Sequence, residues 1–295
     1  MPDNDLLHRF VIENTRVRGE MVHLQASWQA VLQRHDYPEN VRTILGEAFA
    51  ACALLSATIK YDGSLILQIR GDGPLHLLVV QATSQGTLRG LARWHSDVPE
   101  QNLQAIFGQG QMVMTIESAD SEPYQGIIGL QGERIQDAIE NYFIQSEQLH
   151  TRLWLASDET RCSGFLIQEM PASETPLSEL DQAQHDWEHA EHLASTLSKD
   201  ELLSLGTLEI LHRLFHQEDI RLFEPGPLSF RCGCSTERIE QMILALGLQE
   251  ARELVEEQGE IRVDCEFCNA HYRFDNIDIE TLFADNSQPD STTQH

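Results

Sequence analysis

The amino-acid sequence predicts an α+β protein: an N-terminal domain of mainly antiparallel sheet with packed helices, a helical linker, and a small C-terminal α+β module. Three observations carry that expectation. Between residues 64 and 170, short apolar runs follow one another across tight turn signals, the pattern of neighbouring antiparallel strands. Leu180 to about Phe215 reads as a helical linker, with an apolar stripe at alternating three- and four-residue steps from Leu180 to Leu197. Near the C-terminus, four of the 6 cysteines stand as two close pairs, Cys232-Gly-Cys234 and Cys265-Glu-Phe-Cys268, thirty residues apart.

Taken in order, Pro38 opens a helix carrying Val41, Ile44, Leu45, Ala48 and Cys52 at helical spacing. Strands are expected at Ser64–Ile69, Leu75–Gln81 and Thr87–Trp94, divided by Gly71-Asp-Gly-Pro74 and then by Ser84-Gln-Gly86. The first of these turns lacks the longer glycine pattern and the following helix of a phosphate loop, so it is read as turn chemistry. Further strands are expected at Gln111–Glu117, Gly126–Leu130, Arg152–Ala156 and Gly164–Met170. Among them, Ile135, Ala138, Ile139, Tyr142 and Phe143 form a helical stripe. Pro171 to Pro176 reads as a boundary. The expected divisions are an N-terminal domain at 1–172, a metastable linker at 173–226, a cysteine module at 227–284 and a polar, disordered tail at 285–295.

The linker stripe is Leu180, Ala183, Trp187, Ala190, Ala194 and Leu197. Half of it is alanine, and a methyl-sized group contributes only roughly 0.8 kcal/mol on burial. Residues 172–225 carry 12 acids against 3 bases. A thin seam under a crowded acidic surface is expected to dock weakly and open easily; an ordinary exposed spacer helix is the plainer alternative. His185, His189 and His192 share one face of this helix, but no carboxylate or cysteine is placed to complete a ligand set, so they are read as solvated.

The 295 residues carry a formal net charge of −27, which repels phosphate backbones and anionic membranes. Residues 227–283 hold 12 Asp/Glu against 5 Arg and no Lys, which argues against nucleic-acid binding by the cysteine module. The first residues offer no basic-then-apolar leader, and the longest uninterrupted apolar run, Ala48–Leu55, falls short of the roughly 20 residues of a membrane span. The expectation is a soluble, cytoplasmic protein with no nucleic-acid and no membrane partner. Thiols stay reduced in that compartment, so clustered cysteines mean metal or redox chemistry before structural disulfides. Cys52, inside an apolar helical run, is read as a small buried hydrophobe. Cys162 lies near an expected loop with no activating context.

Within the cysteine module, Leu228–Arg231 should form a strand leading into the first pair. Ser235 caps a helix with stripe positions Ile239, Met242, Ile243 and Leu246, ended by Gly247. A second helix near Gln249–Glu257 ends at Gly259. Glu260–Asp264 and Ala270–Phe274 then pair as a hairpin with the second cysteine pair at its tip. Four soft thiolates at this spacing select one zinc per chain, in a closed tetrahedral site with Zn–S bonds near ~2.3 Å and no position for water. Such a site is not hydrolytic. A module this small draws roughly 3–5 kcal/mol from its own core, against roughly 10–16 kcal/mol from structural zinc, so metal loss should unfold it. Thiolates are also what oxidants attack, and each cysteine has a resolving thiol beside it, with Gly233 supplying backbone freedom in the tighter pair. The residues alone leave open whether the metal is structural or also a redox sensor.

The two cysteine motifs and their spacing resemble those of the heat shock protein 33 family, the 33 kDa chaperonins, which are redox-regulated holdase chaperones. His35-Asp-Tyr-Pro38, Gly71-Asp-Gly-Pro74, Tyr124-Gln-Gly-Ile-Ile-Gly-Leu130, Tyr142-Phe with Ser146-Glu-Gln-Leu149, and Phe267-Cys-Asn-Ala-His-Tyr272 extend the resemblance over essentially the whole chain. It implies zinc on Cys232, Cys234, Cys265 and Cys268 in an inactive reduced form. It further implies that oxidation pairs Cys232 with Cys234 and Cys265 with Cys268, releases zinc and unfolds the linker. The exposed surface would then bind unfolding client proteins without ATP, in a homodimer. Leu180, Trp187, Leu193 and Leu197 are the linker candidates for client contact. No catalytic residue is implied. Two other classes of protein compete with this one. An enzyme merely braced by zinc lacks a nucleophile elbow, an HExxH helix or a phosphate loop, and Asp120 and Glu122 read as solvated acids. A zinc-ribbon interaction module for protein or RNA is disfavoured, for RNA, by charge.

Overall fold

The computed structural model describes residues 4–118, 121–171 and 177–286. The chain divides into two compact units, residues 1–231 and 232–295. The first runs β1 (Leu6–Ile12), β2 (Val17–Leu24), α1 (Ala26–Leu32), α2 (Glu39–Thr58), β3 (Gly63–Arg70), β4 (Leu75–Thr83), β5 (Thr87–Trp94), α3 (Leu103–Phe107), β6 (Gln111–Ser118), β7 (Ser121–Gly129) and α4 (Ile135–Tyr142). A π-helical turn (Phe143–Glu147) then leads to β8 (Thr151–Ser157), β9 (Cys162–Glu169), α5 (Leu177–Ala194), α6 (Lys199–Ser204), α7 (Thr207–Phe215), β10 (Ile220–Leu222), β11 (Gly226–Pro227) and β12 (Ser229–Phe230).

These strands form two six-stranded sheets. One has the order β10-β1-β2-β9-β8, with β11 also paired to β1, and is antiparallel throughout. The other has the order β12-β5-β4-β3-β6-β7 and is antiparallel except where β12 runs parallel to β5. The α+β class holds.

Helix α2 packs between the sheets. Its Val41, Leu45, Phe49 and Leu54 meet Leu65, Leu67 and Val80 of one sheet and Val22, Leu153 and Leu166 of the other. Because both faces are covered, α2 is apolar nearly all round, as a fully buried helix must be. By length and composition it could cross a membrane, which the eight-residue run did not reveal; most of it is buried inside the first unit instead. Cys52 sits at its centre, fully buried as expected.

The opposite face of the first sheet carries a second core. Phe10, Ile12, Val17, Met21, Phe165 and Ile167 meet Trp187, Ala190, Ala194 and Leu197, together with Leu202, Ile210, Leu211, Leu214 and Phe215. Ala183, Trp187, Ala190, Ala194 and Leu197 of the expected linker stripe are therefore buried, with Trp187 only 5 % exposed. The expectation of a face that buries little was wrong. The alanines bring the helix close to the sheet, and the larger side chains of α6 and α7 complete the layer. Nor is the segment one helix. Ser198 caps α6 in a reciprocal pair with Glu201, and Gly206 stands before α7, so the chain breaks twice. Residues 172–176, where the boundary was expected, lie outside the described residues.

Strands β1 and β2 have no counterpart among the expected elements. The reason is physical: β2 is buried on both faces, including Glu20 and His23, so no alternation of apolar and polar residues survives to be read. Strands β3 to β6, β8 and β9 fall where the turn signals placed them. Strand β7 begins five residues before its expected start at Gly126.

The second unit comprises α8 (Thr236–Leu246), α9 (Leu248–Gln258), the hairpin β13 (Ile261–Asp264) with β14 (His271–Phe274), and α10 (Asn276–Asn286). Its core is Ile239, Ile243, Ala251, Val255, Ile261, Phe274 and Ile279. Gly247 and Gly259 end their helices at φ 94° and 84°, positions that favour glycine. Of the stripe expected on α8, Ile239 and Ile243 are buried, but Met242 and Leu246 are exposed. Helix α10 was not anticipated; beyond Asn286 the tail lies outside the described residues.

Candidate metal centre

The first cysteine pair stands immediately before α8. The Ser235 hydroxyl accepts from the Arg238 backbone N–H at 3.4 Å, which starts the helix. Arg238 then turns its guanidinium back, and Nη1 donates to the Gly233 carbonyl at 2.6 Å. Gly233 does not adopt a positive φ; what it provides is room, since a Cβ there would stand 2.8 Å from Arg238 Nη1. The second pair forms the tip of the β13–β14 hairpin. The Asn269 N–H donates to Cys265 O at 2.7 Å and the Cys265 N–H to Ala270 O at 2.8 Å. Asn269 takes a left-handed φ of 60°, which asparagine tolerates better than most residues.

The two turns bring the four Sγ atoms within 4.8 Å of one another. The shortest separations run across the motifs, Cys232 to Cys265 at 3.5 Å and Cys234 to Cys268 at 3.2 Å. A tetrahedral centre with Zn–S bonds of ~2.3 Å places its sulfurs about 3.8 Å apart. All four are free, partly buried thiols, so donor type and spacing both suit a soft tetrahedral metal such as zinc. Among the described residues this is the one cluster of potential ligands close enough to hold an ion.

The sulfurs are not equivalent. Burial opposes ionisation of Cys234, but hydrogen bonds from Tyr272, Cys268, Cys232 and Cys265 outweigh it and bring this thiol down to about 7. Burial, with hydrogen bonds to the other cysteines, pushes Cys268 well up, and burial likewise raises Cys232. Tyr272 is pushed up to about 12, chiefly because its hydroxyl is held as donor to Cys234. Sequence reasoning missed Tyr272 and Arg238 as supports of the centre. Tyr272 is placed by hairpin register, and Arg238 by a side chain folding back against its own helix start. Neither leaves a spacing signal.

Cys52 and Cys162 are different in kind. Both are fully buried, and burial pushes the first up to about 12 and the second far above its usual range. His185, His189 and His192 are exposed on α5, where His189 Nε2 meets Glu218 Oε1 at 3.1 Å. Of the client-contact candidates, Trp187 and Leu197 are buried in the second core and Leu193 packs partly against it; the Leu180 side chain lies outside the described residues. Asp120 also lies outside them, and Glu122 is exposed on β7.

With this geometry in place, the comparisons with known proteins agree on one family. The model of the Hsp33 protein family matches residues 5–275. The 33 kDa chaperonins of Nitrosococcus oceani and Azotobacter vinelandii are 51% and 44% identical, each over 100% of both chains. A crystal structure of a 33 kDa chaperonin from Thermotoga maritima shares the fold, with a TM-score of 0.81 at 22% identity, covering 96% of this chain and 99% of that one. An α+β chain ending in a four-thiol centre is thus the architecture of a chaperone family. The chain belongs to the Hsp33 family.

Proposed function

We propose that this chain is a redox-regulated, ATP-independent holdase of the cytoplasm, inactive when reduced and zinc-bound. The observation that carries this is a conjunction: four free thiols within 4.8 Å, and an apolar linker face covered by the first sheet. When bound, zinc holds the four sulfurs as thiolates and braces the second unit, whose own core is small. A peroxide takes two electrons from one cysteine sulfur, giving a sulfenic acid and water. The neighbouring thiol then displaces the hydroxyl as a second water and closes the disulfide. Two such cycles, each consuming one peroxide, join Cys232 to Cys234 and Cys265 to Cys268, the pairing the family resemblance implies. The metal's donor set is then gone.

Chain continuity supplies the output. Only Arg231 separates Cys232 from β12, a two-residue strand; β11 is equally short and β10 has three residues. These three strands pin the chain that follows α7. Their loss leaves α5 to α7 held by side-chain packing and a few ion pairs, so Trp187, Leu193 and Leu197 become available to unfolding clients. The oxidised form acts as a homodimer, and the charge of −27 disfavours nucleic acid and anionic membrane as partners. A peroxide titration tests the reading, with released zinc and suppression of client aggregation followed in one sample without ATP. Holding activity should rise in step with zinc release. Complete zinc loss with no holding activity would leave the centre a passive brace.

A further inference from the structure

Between β1, β2, the end of α2 and the β4–β5 turn lies a cleft of about 620 Å³ in the first unit. Arg9, Arg18 and Lys60 line it, and Lys60 is one of only two lysines in the chain. In a protein of charge −27, three cations in one cleft should have attracted carboxylates. Among the described residues they form no ion pair, whereas Arg16, Arg152, Lys199 and Arg213 each hold a carboxylate. Arg18 has a structural task in part: its Nη2 donates to Thr58 O at 3.1 Å, closing the C-terminus of α2, and to Gln168 Oε1 at 2.5 Å. Its Nε is buried with no partner. Arg9 and Lys60 are exposed and have no such task.

One acid stands close by. Strand register sets Glu20 opposite Arg9, two residues along β2 from Arg18. It is 2 % exposed, and burial raises it to about 7 against the pull of both arginines. At neutral pH it therefore offsets only part of the positive charge. The remaining lining is mixed: Leu7, Ala53, Ala57 and Leu88 are apolar, while Ser56, Thr58, Thr83, Ser84 and Gln85 are polar.

We propose that this cleft is a binding site for a small phosphate monoester, with the dianionic head between Arg9, Lys60 and Arg18 and a compact apolar body on Leu7, Ala53 and Leu88. Gly226, Pro227 and Leu228 also line the cleft and belong to the segment that oxidation is proposed to release, so the reduced form is the one that binds. Its test is a two-dimensional NMR titration of the reduced, zinc-loaded full chain with phenyl phosphate at constant ionic strength, alongside phenol and inorganic phosphate. Phenyl phosphate should give saturable shifts at Arg9, Lys60 and Ser84 to Gly86, and the Arg9→Gln/Lys60→Gln double variant should bind at least tenfold more weakly. Both changes are at exposed side chains, and unchanged zinc content and tryptophan fluorescence would show the variant folded. Non-saturable shifts, undiminished binding by the double variant, or equal shifts with phenol would overturn the site. Equal affinity for inorganic phosphate would overturn the assignment of an organic ligand.

Discussion

Each of the four sulfurs has its own environment, yet the centre is only as good as its weakest ligand. Cys265→Ser removes a thiolate and leaves three donors, so zinc in the purified reduced protein should fall from one per chain to well below, measured by metal analysis; full retention would remove Cys265 from the ligand set. Glu20 makes a pH prediction. Its folded value of about 7 lies above the ordinary carboxylate value of 4.5, so the folded state holds the proton more tightly. Its contribution is fully present below about 4.5 and lost as pH rises through 7, a change of roughly 3 kcal/mol at most. Glu20→Gln should therefore flatten the fall in stability between pH 5 and pH 8. Urea unfolding followed by tryptophan fluorescence reads this in the first unit alone, which contains Trp28, Trp94, Trp154 and Trp187. Parallel pH profiles for the two proteins would contradict it. The cysteines were legible in the sequence because ligand spacing is local. Glu20 was not, since nothing in Val17–Leu24 signals that a charged side chain turns inward.

At the scale of elements, the decisive contact is α5 to α7 against the first sheet. Trp187→Ala opens a cavity in that layer and should cost about 3–5 kcal/mol, so holding activity should appear at lower oxidation, measured by client light scattering. Ala190 is 2 % exposed in the same layer, so Ala190→Leu adds volume where there is no room. It should loosen the docking by about 1–3 kcal/mol rather than tighten it. Activation delayed by this variant would show the seam to be slack. Lys199 Nζ meets the buried Glu47 of α2 at 2.9 Å and ties α6 to the central helix. Lys199→Met strands that carboxylate and should speed hydrogen exchange over 199–204, while adding Glu47→Gln should restore protection. If the double variant exchanges as fast as the single, the pair is not what holds α6. The strands β3 to β6, β8 and β9 were legible because glycine and serine turns mark their ends. The linker's burial was not, because much of its partner surface (Phe10, Ile12, Val17 and Met21) lies on β1 and β2, the two strands that left no periodicity.

For the whole molecule, the division at Arg231 and Cys232 separates a large unit with two apolar cores from a small one with a single thin core. That asymmetry suits the proposed switch, because a metal on the four cysteines would brace the small unit through oxidisable ligands and leave the large unit to its own cores. The α+β class and the cysteine module could be read from local patterns. The docking of the linker could not, since it rests on contacts between segments more than 150 residues apart, such as Phe10 with Phe215. Hydrogen exchange by mass spectrometry on the reduced and the peroxide-oxidised protein tests the central claim most directly. Residues 177–215 should be protected when reduced and exchange rapidly after oxidation, with β3 to β6 protected in both states. Equal protection of 177–215 before and after complete zinc loss would contradict it.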